Sequence, residues 1–414
     1  MTVAERPTVV LREYDAIRQA LFDPSLSRTF DERSYAEGNI RDGTVSVSHG
    51  SLHRARRRVE NTQFRADRLQ LYERDLFPSV LDHLLSVLLG RESVDVFAVG
   101  ELVSVVLAAR RAGLDIDDRS ISTLSDLVHI VDVFSQGSAI LDARDPDAVR
   151  ALVRSTHEDF ETRYIRPAMV RRVALVEAAA SDPSVEVPHD ILTVLLQHRA
   201  DPALELGDDG RIVREVATYL QGGTHTSAQT LTNAIDLIFA LPDGGRTQVE
   251  RLATDVPFAQ RVVHETLRLR PTTPKMKRRA IAPTTIGGVD IPAEALVVLD
   301  AATANRDARL FGANADAFDA DRELAQGVAR WGLAFGAGPH QCPGRSVAGG
   351  FPVGSHLATD EGHLFGLVAL MLQGVARRGP RRDPDRAPKR DTRTERETRW
   401  AHYPVRLERW SEPA

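Results

Sequence analysis

Apolar residues along this chain recur mainly at the three-and-four spacing of amphipathic helices. Leu81, Leu84, Leu85 and Leu88 occupy i, i+3, i+4 and i+7, the positions of one buried helix face. Val103, Val106 and Leu107 continue in the same style. The pattern predicts a long helix from Arg211 to Ala240, entered from a polar loop between Asp201 and Gly210. A second apolar-periodic stretch, Val262 to Leu269, is stopped near Pro271, since proline cannot continue a helix. Leu367 to Leu372 resumes a helical pattern. Strand-like runs are short: Val9-Val10-Leu11, Thr285 to Val289 with Ile291, and Leu296 to Leu299. Gly287-Gly288 between two of these segments predicts a hairpin. No internal repeat is visible, and the whole reads as mainly α with small β-sheets.

Composition narrows the class of protein. The 414 residues, 42% hydrophobic and 27% charged, suit one large helical domain or two small ones with a sizeable core. The net charge of -5 argues against nucleic acid as the main partner. No run of 18 apolar residues occurs, and Met1 to Pro7 lacks a signal pattern, so a cytoplasmic protein that does not span a membrane is expected. The arginine-rich stretch from Arg377 to Arg399 reads as a solvated loop.

One cysteine occurs in the chain, Cys342, within Phe335-Gly336-Ala337-Gly338-Pro339-His340-Gln341-Cys342-Pro343-Gly344. A single thiol excludes an internal disulfide, and any zinc or iron–sulfur site needing two cysteines of this chain. It is either an inert core residue in a glycine-rich turn or a sulfur presented at a fixed angle among open backbone N–H groups, as an axial ligand to haem iron requires. The segment resembles the haem-binding signature of the cytochrome P450 family, Phe-Gly-x-Gly-x-His-x-Cys-x-Gly, with every specified position met. The resemblance implies that Cys342 is the proximal iron ligand and that His340 bonds a haem propionate. It further implies that Phe335 covers the ligand loop, that Gly336 allows its tight turn, and that Gly344 lets the next helix start against the ring.

Other motifs fall where the same resemblance places them. Glu265 and Arg268 are three apart and share a helix face; with Arg322 from Phe318-Asp319-Ala320-Asp321-Arg322 they resemble the family's buried Glu–Arg–Arg network, expected to support the fold. His53 and Arg57, at i and i+4, resemble its His-x-x-x-Arg pair, and with Arg278 they are implied propionate ligands. Arg279 is the alternative by one register. Arg54, Arg56 and Arg58 are expected to face elsewhere, toward a redox partner. Thr272 to Met276 should border the substrate pocket.

Gly222-Gly223-Thr224-His225-Thr226-Ser227 resembles the family's oxygen-side motif, with Thr226 at the proton-delivering threonine, His225 in place of the usual acid and Ser227 in place of the second threonine. Two glycines inside a helix suggest a kink or a close ligand. Imidazole can relay protons, so His225 is a candidate relay beside Thr226, or a space-filler at the kink. Tyr219 projects toward substrate or packs in the core. Two departures stand out. Gly349-Gly350-Phe351-Pro352-Val353-Gly354 interrupts the helix after Cys342, so an insertion is expected over about 349–366; its His356 and His363 lack further metal ligands. The N-terminus is short against the family, which implies loss of the first helix and strand, or a misassigned start.

The resemblance thus implies one haem-thiolate monooxygenase domain over residues 1–414, carrying haem b and inserting one atom of O2 into a small organic substrate, in the manner of bacterial secondary metabolism. Ferredoxin and ferredoxin reductase would supply electrons. The alternatives are a non-catalytic or a peroxide-driven haem-thiolate protein.

Overall fold

The computed structural model describes residues 6–28, 40–117, 119–140, 143–352, 363–393 and 399–408. It is built around a 31-residue helix, Asp209–Phe239, which runs through the centre of the main core. Asp208 caps it, its carboxylate accepting from Gly210 N at 2.9 Å, which satisfies an orphan donor of the first turn. The polar stretch before it holds a short 3-10 turn, Pro202–Leu204. Helix α1, Val96–Ala112, lies antiparallel against the central helix, hereafter α2. A Cβ on Gly100 would stand 2.9 Å from Ala228 Cα, and one on Gly223 3.1 Å from Ala108 Cβ. Small residues at both crossings let the two backbones approach closely.

The leucine face predicted at residues 81–88 is the inner side of helix Phe77–Leu88, with Leu81, Leu84 and Leu85 buried and Leu88 partly so. Helix α3, Val256–Leu269, is capped by Asp255, which accepts from Phe258 N at 2.8 Å, and ends before Pro271 as expected. Helix α4, Leu367–Ala376, packs against α2 and α3.

A second core lies under a four-stranded sheet. Thr8–Leu11 runs parallel to Leu296–Asp300, with Thr8 opposite Leu296. The latter pairs antiparallel with Lys275–Ala280, and Leu26–Ser27 borders that strand. The strand-like run Val9-Val10-Leu11 falls in strand Thr8–Leu11, which is followed by helix Tyr14–Phe22. Ile17, Ala20 and Leu21 pack into this second core. The hairpin is present, Thr284–Ile286 with Val289–Ile291, turning on Gly287 and Gly288, whose φ of 55° and 79° suit glycine.

The arginine-rich C-terminal stretch is not a solvated loop throughout. Pro380–Arg382 joins Pro404–Leu407 and Ser93–Asp95 in a three-stranded sheet, and Lys389–Arg390 pairs with Trp400–His402. Asp391 and Arg399 are buried. Ion pairs from Arg393 to Asp132 and Asp391 and from Arg399 to Asp391 compensate their charges. The periodicity of a charged segment could not reveal partners supplied by distant helices.

Candidate functional site

A cavity of about 410 Å3 opens between α2, helix Gly50–Glu60, strand Lys275–Ala280 and the cysteine loop. The loop is closed by Cys342 N donating to Phe335 O at 2.9 Å. Gly336 and Gly338 have φ of 65° and 67°, the left-handed region where glycine is favoured. A Cβ on Gly338 would also lie 2.6 Å from Leu21 O. Phe335 packs edge-on to Trp331, with centroids 5.4 Å apart, and both Phe335 and Gly336 line the cavity. Gly344 leads into the short helix Arg345–Gly349; a Cβ there would stand 3.9 Å from the sulfur. Burial pushes the Cys342 thiol up, opposed by the Gly344 N–H and by Arg57 and Arg345.

The loop is anchored from below by the expected network. Glu265 accepts from Arg268 Nε at 2.7 Å and Nη2 at 2.6 Å. It also accepts from Arg322 Nε at 3.3 Å and Nη2 at 3.2 Å, and from Asp319 N at 3.1 Å. All three charged side chains are buried. Arg268 donates on to Asn305 O at 2.8 Å. The Asn305 side chain returns a bond to Arg268 O at 3.0 Å and accepts from Leu333 N at 2.7 Å, two residues before Phe335. Asn305 is thus the link from the ion network to the cysteine loop, and nothing in its sequence surroundings marks it.

Arginines and histidines gather along one side of the cavity: Arg28, His53, Arg57, Arg278 and His340 all line it. The His53 and His340 rings lie 3.9 Å apart, and Arg57 donates to Gln341 O at 2.9 Å. Burial, then Arg57, pushes His53 down to about 4. Burial, then Arg28 and His53, pushes His340 down to about 2, and burial with Arg28 brings Arg278 down to about 9. Each shift comes from desolvation and neighbouring cations, the environment that a bound dianion would neutralise. Between the two registers considered, Arg278 is the residue that faces the cavity; Arg279 pairs instead with Glu294 at 3.7 Å. Arg28 carried no sequence signal.

Arg54 and Arg58 are exposed, but Arg56 is not available to a partner protein. It is fully buried, donates to Leu204 O at 2.8 Å and pairs with Glu215 at 3.3 Å.

On the opposite side α2 continues as one helix through its glycines. A Cβ on Gly222 would meet nothing within 4 Å, so this glycine opens the cavity, whereas Gly223 serves helix packing. Thr226 and Ser227 line the cavity, their hydroxyls donating to Gly222 O at 2.7 Å and Gly223 O at 3.0 Å. Tyr219 also lines it, its hydroxyl donating to Glu60 at 2.6 Å.

His225 is turned the other way and is not among the cavity-lining residues. Its Nε2 receives Arg399 Nε at 3.1 Å, and its Nδ1 stands 3.1 Å from Glu101 Oε1. A guanidinium can only donate, so Nε2 is an acceptor and the proton of the neutral ring sits on Nδ1, toward Glu101. Burial, then Arg399, holds this imidazole well below its ordinary range. Glu101 and Arg399 come from distant parts of the chain, which is why the sequence offered no hint of either.

His356 lies outside the described residues. His363 contacts Gln260 at 3.2 Å, and the described residues contain no cluster of metal-ligand type. The interruption after residue 349 begins at Gly350, with φ 71°. Its two ends meet where Phe351 N bonds Leu364 O at 2.7 Å, and Gln260 donates to Gly349, Leu364 and Phe365 carbonyls at 3.0–3.1 Å.

A sequence model of cytochrome P450 matches residues 1–349. This chain belongs to the cytochrome P450 family. The match ends at the departure described above. Among characterised P450s, the chain is 25% identical over 357 residues to the cyclooctat-9-en-7-ol 5-monooxygenase of Streptomyces melanosporofaciens, covering 81% of this chain and 75% of that one. It is 31% identical to the putative cytochrome P450 137 of Mycobacterium tuberculosis over 178 residues, 42% of this chain and 37% of that protein. The fold is shared with the P450 CalO2 at TM-score 0.71 and 19% identity, over 97% of this chain and 91% of that one. P450BioI bound to a hexadec-9Z-enoic acid ligated acyl carrier protein also matches, at TM-score 0.71 and 18% identity, over 99% and 94%.

Membership of the P450 family implies a haem-iron cofactor. The residues fit it: one thiol with a backbone N–H directed at it, a glycine-lined approach, and a side where three arginines and two imidazoles offer the donors that two propionates need. No helix among the described residues is long and apolar enough to cross a membrane.

Proposed function

We propose that this P450 is a haem-thiolate monooxygenase that binds haem b through Cys342 and inserts one oxygen atom of O2 into a small organic substrate. The observation that carries this reading is the shared cavity: Cys342 and its glycine loop, the side bearing the arginines and histidines, and Gly222 with Thr226 all line one space. When bound, the haem iron supplies the oxidising chemistry, with the thiolate donating electron density that favours O–O cleavage. The remaining work belongs to the chain. The Gly344 N–H and the nearby Arg57 and Arg345 charges favour the deprotonated sulfur against the cost of burial. His53, Arg57, Arg278 and His340 hold the propionates. Gly222 leaves room beside α2, and the Thr226 hydroxyl, resting on Gly222 O, has its lone pairs free to accept from and pass a proton into the cavity. His225 acts as a neutral bridge between Glu101 and Arg399, and stands behind Thr226 as support.

Electrons are read as coming from a ferredoxin and its reductase, and the protein as cytoplasmic, one domain over residues 1–414. The test is the difference spectrum of the reduced, carbon-monoxide-saturated protein. The wild type should show the far-red-displaced band of sulfur ligation, and Cys342→Ser should lose it while keeping the wild-type circular dichroism. A serine variant that keeps the band ends this reading.

A further inference from the structure

Arg111, half-buried on the last turn of α1, carries a charge that no acid among the described residues pairs with. Its guanidinium lies over the rings of Phe64 and Tyr72, 4.7 Å and 4.9 Å from their centroids. Nη2 donates to Gln63 O at 2.8 Å, while Nη1 is buried without any partner. A cation–π sandwich offsets part of the cost of desolvating a guanidinium, but a buried charge is normally completed by a counter-charge. Arg111 is also part of the cavity lining.

Its position separates it from the propionate-binding groups. Phe64 stacks on Tyr219, centroids 5.9 Å apart. Tyr219 precedes Thr226 by seven residues on α2, or ~10 Å along the helix axis. The charge interactions of Arg111 are with Tyr72 and Tyr219, whereas His53, His340 and Arg278 all feel Arg28, and His340 also feels His53 and Arg278. Glu60 on this side accepts from the Tyr219 hydroxyl, and burial and Glu215 hold its carboxyl well above the usual range. The walls nearby are apolar: Leu107, Ala108, Ala112 and Ile191.

We infer that Arg111 is a substrate anchor, taking the carboxylate of an organic acid whose apolar body extends along α2 toward Thr226. The proposal rests on the monooxygenase reading and adds the substrate class to it. An unpaired N–H on a guanidinium held between two aromatic faces suits a planar, singly charged carboxylate. The ester or amide of the same acid keeps the shape and loses the charge.

The experiment titrates the ferric holoenzyme with dodecanoate and 4-phenylbutyrate and with their methyl esters, following the spin-state shift of the haem band and, in parallel, the heat of binding. At least one acid should bind about tenfold or more tighter than its ester. Arg111→Gln should bring that ratio to about one with unchanged haem content, and Arg111→Lys should keep part of it. Equal binding of acids and esters by the wild type overturns the proposal, as does no binding of either acid, or an unchanged ratio in Arg111→Gln. Loss of haem from a folded Arg111→Gln would make it a cofactor ligand and would equally overturn it. If Arg111→Gln does not fold, the wild-type ratio and Arg111→Lys decide. The carbon-monoxide band distinguishes the two levels of the argument. A failed anchor leaves the band in place with no acid preference. A failed thiolate assignment removes the band, while the calorimetric preference for the acid persists.

Discussion

The Glu265 network offers the sharpest quantitative test, and the perturbation is Glu265→Gln. The change keeps the side-chain shape but removes the one negative charge between Arg268 and Arg322, both buried. It also replaces an acceptor oxygen by an NH2 group, which must face a guanidinium. Five donated bonds converge on the two carboxylate oxygens, and four of them come from cations. Removing one partner from a buried charge group costs about 3–5 kcal/mol, because the stranded charge cannot reach water. The unfolding entropy of a chain this long, at ~2.1 cal/mol/K per residue, is about 0.9 kcal/mol/K. The melting temperature should therefore fall by about 3–6 °C. Thermal unfolding of the haem-loaded protein followed by far-UV circular dichroism measures it directly. The damage should extend to the cysteine loop through Asn305, so the haem should dissociate faster at a temperature where the fold is intact. A melting temperature within about 1 °C of wild type, with wild-type haem retention, would refute the reasoning.

Other outcomes follow from the same structure. Gly222→Ala places a methyl group where nothing lies within 4 Å; it should stabilise α2 by up to about 1 kcal/mol yet reduce coupled product formation, since it narrows the space beside Thr226. Denaturation midpoints and the ratio of product to electrons consumed check the two opposite signs. His264 is fully buried with Nε2 2.7 Å from Gly349 O, and burial pushes its ring down to about 4. The unfolded chain takes up that proton near pH ~6.5 and the folded one resists, so its contribution is intact above that pH and lost as pH falls toward 4, on the order of 3 kcal/mol. Urea midpoints at pH 7.5 and 5.0 should accordingly differ less in His264→Gln than in the wild type. Because His225 is locked neutral between Arg399 and Glu101, turnover between pH 5.5 and 8 should carry no ionisation from it. A pH–rate profile whose shape changes in His225→Gln would restore it to the proton path.

The chain by itself determined the helical class, the cysteine loop, the His53 and Arg57 pair and the Glu265 and Arg268 pair, while Arg322, 57 residues from Glu265, was joined to them only through the family resemblance. These are local features: a period of 3.6, a glycine at a turn, two side chains one helical turn apart. Local geometry is encoded in spacing, so it could be read before any contact was known. Only the tertiary structure decided that Arg278 rather than Arg279 faces the cavity, because register across a sheet depends on the partner strand. It decided that His225 turns from the cavity, since its partners Glu101 and Arg399 lie 124 and 174 residues away. Arg56 left the surface because Glu215 met it, and Arg111 gained an unmet charge because aromatic rings surrounded it where an acid did not. Charged side chains take their meaning from what desolvates them and what compensates them, and both are set by packing between segments far apart in the chain.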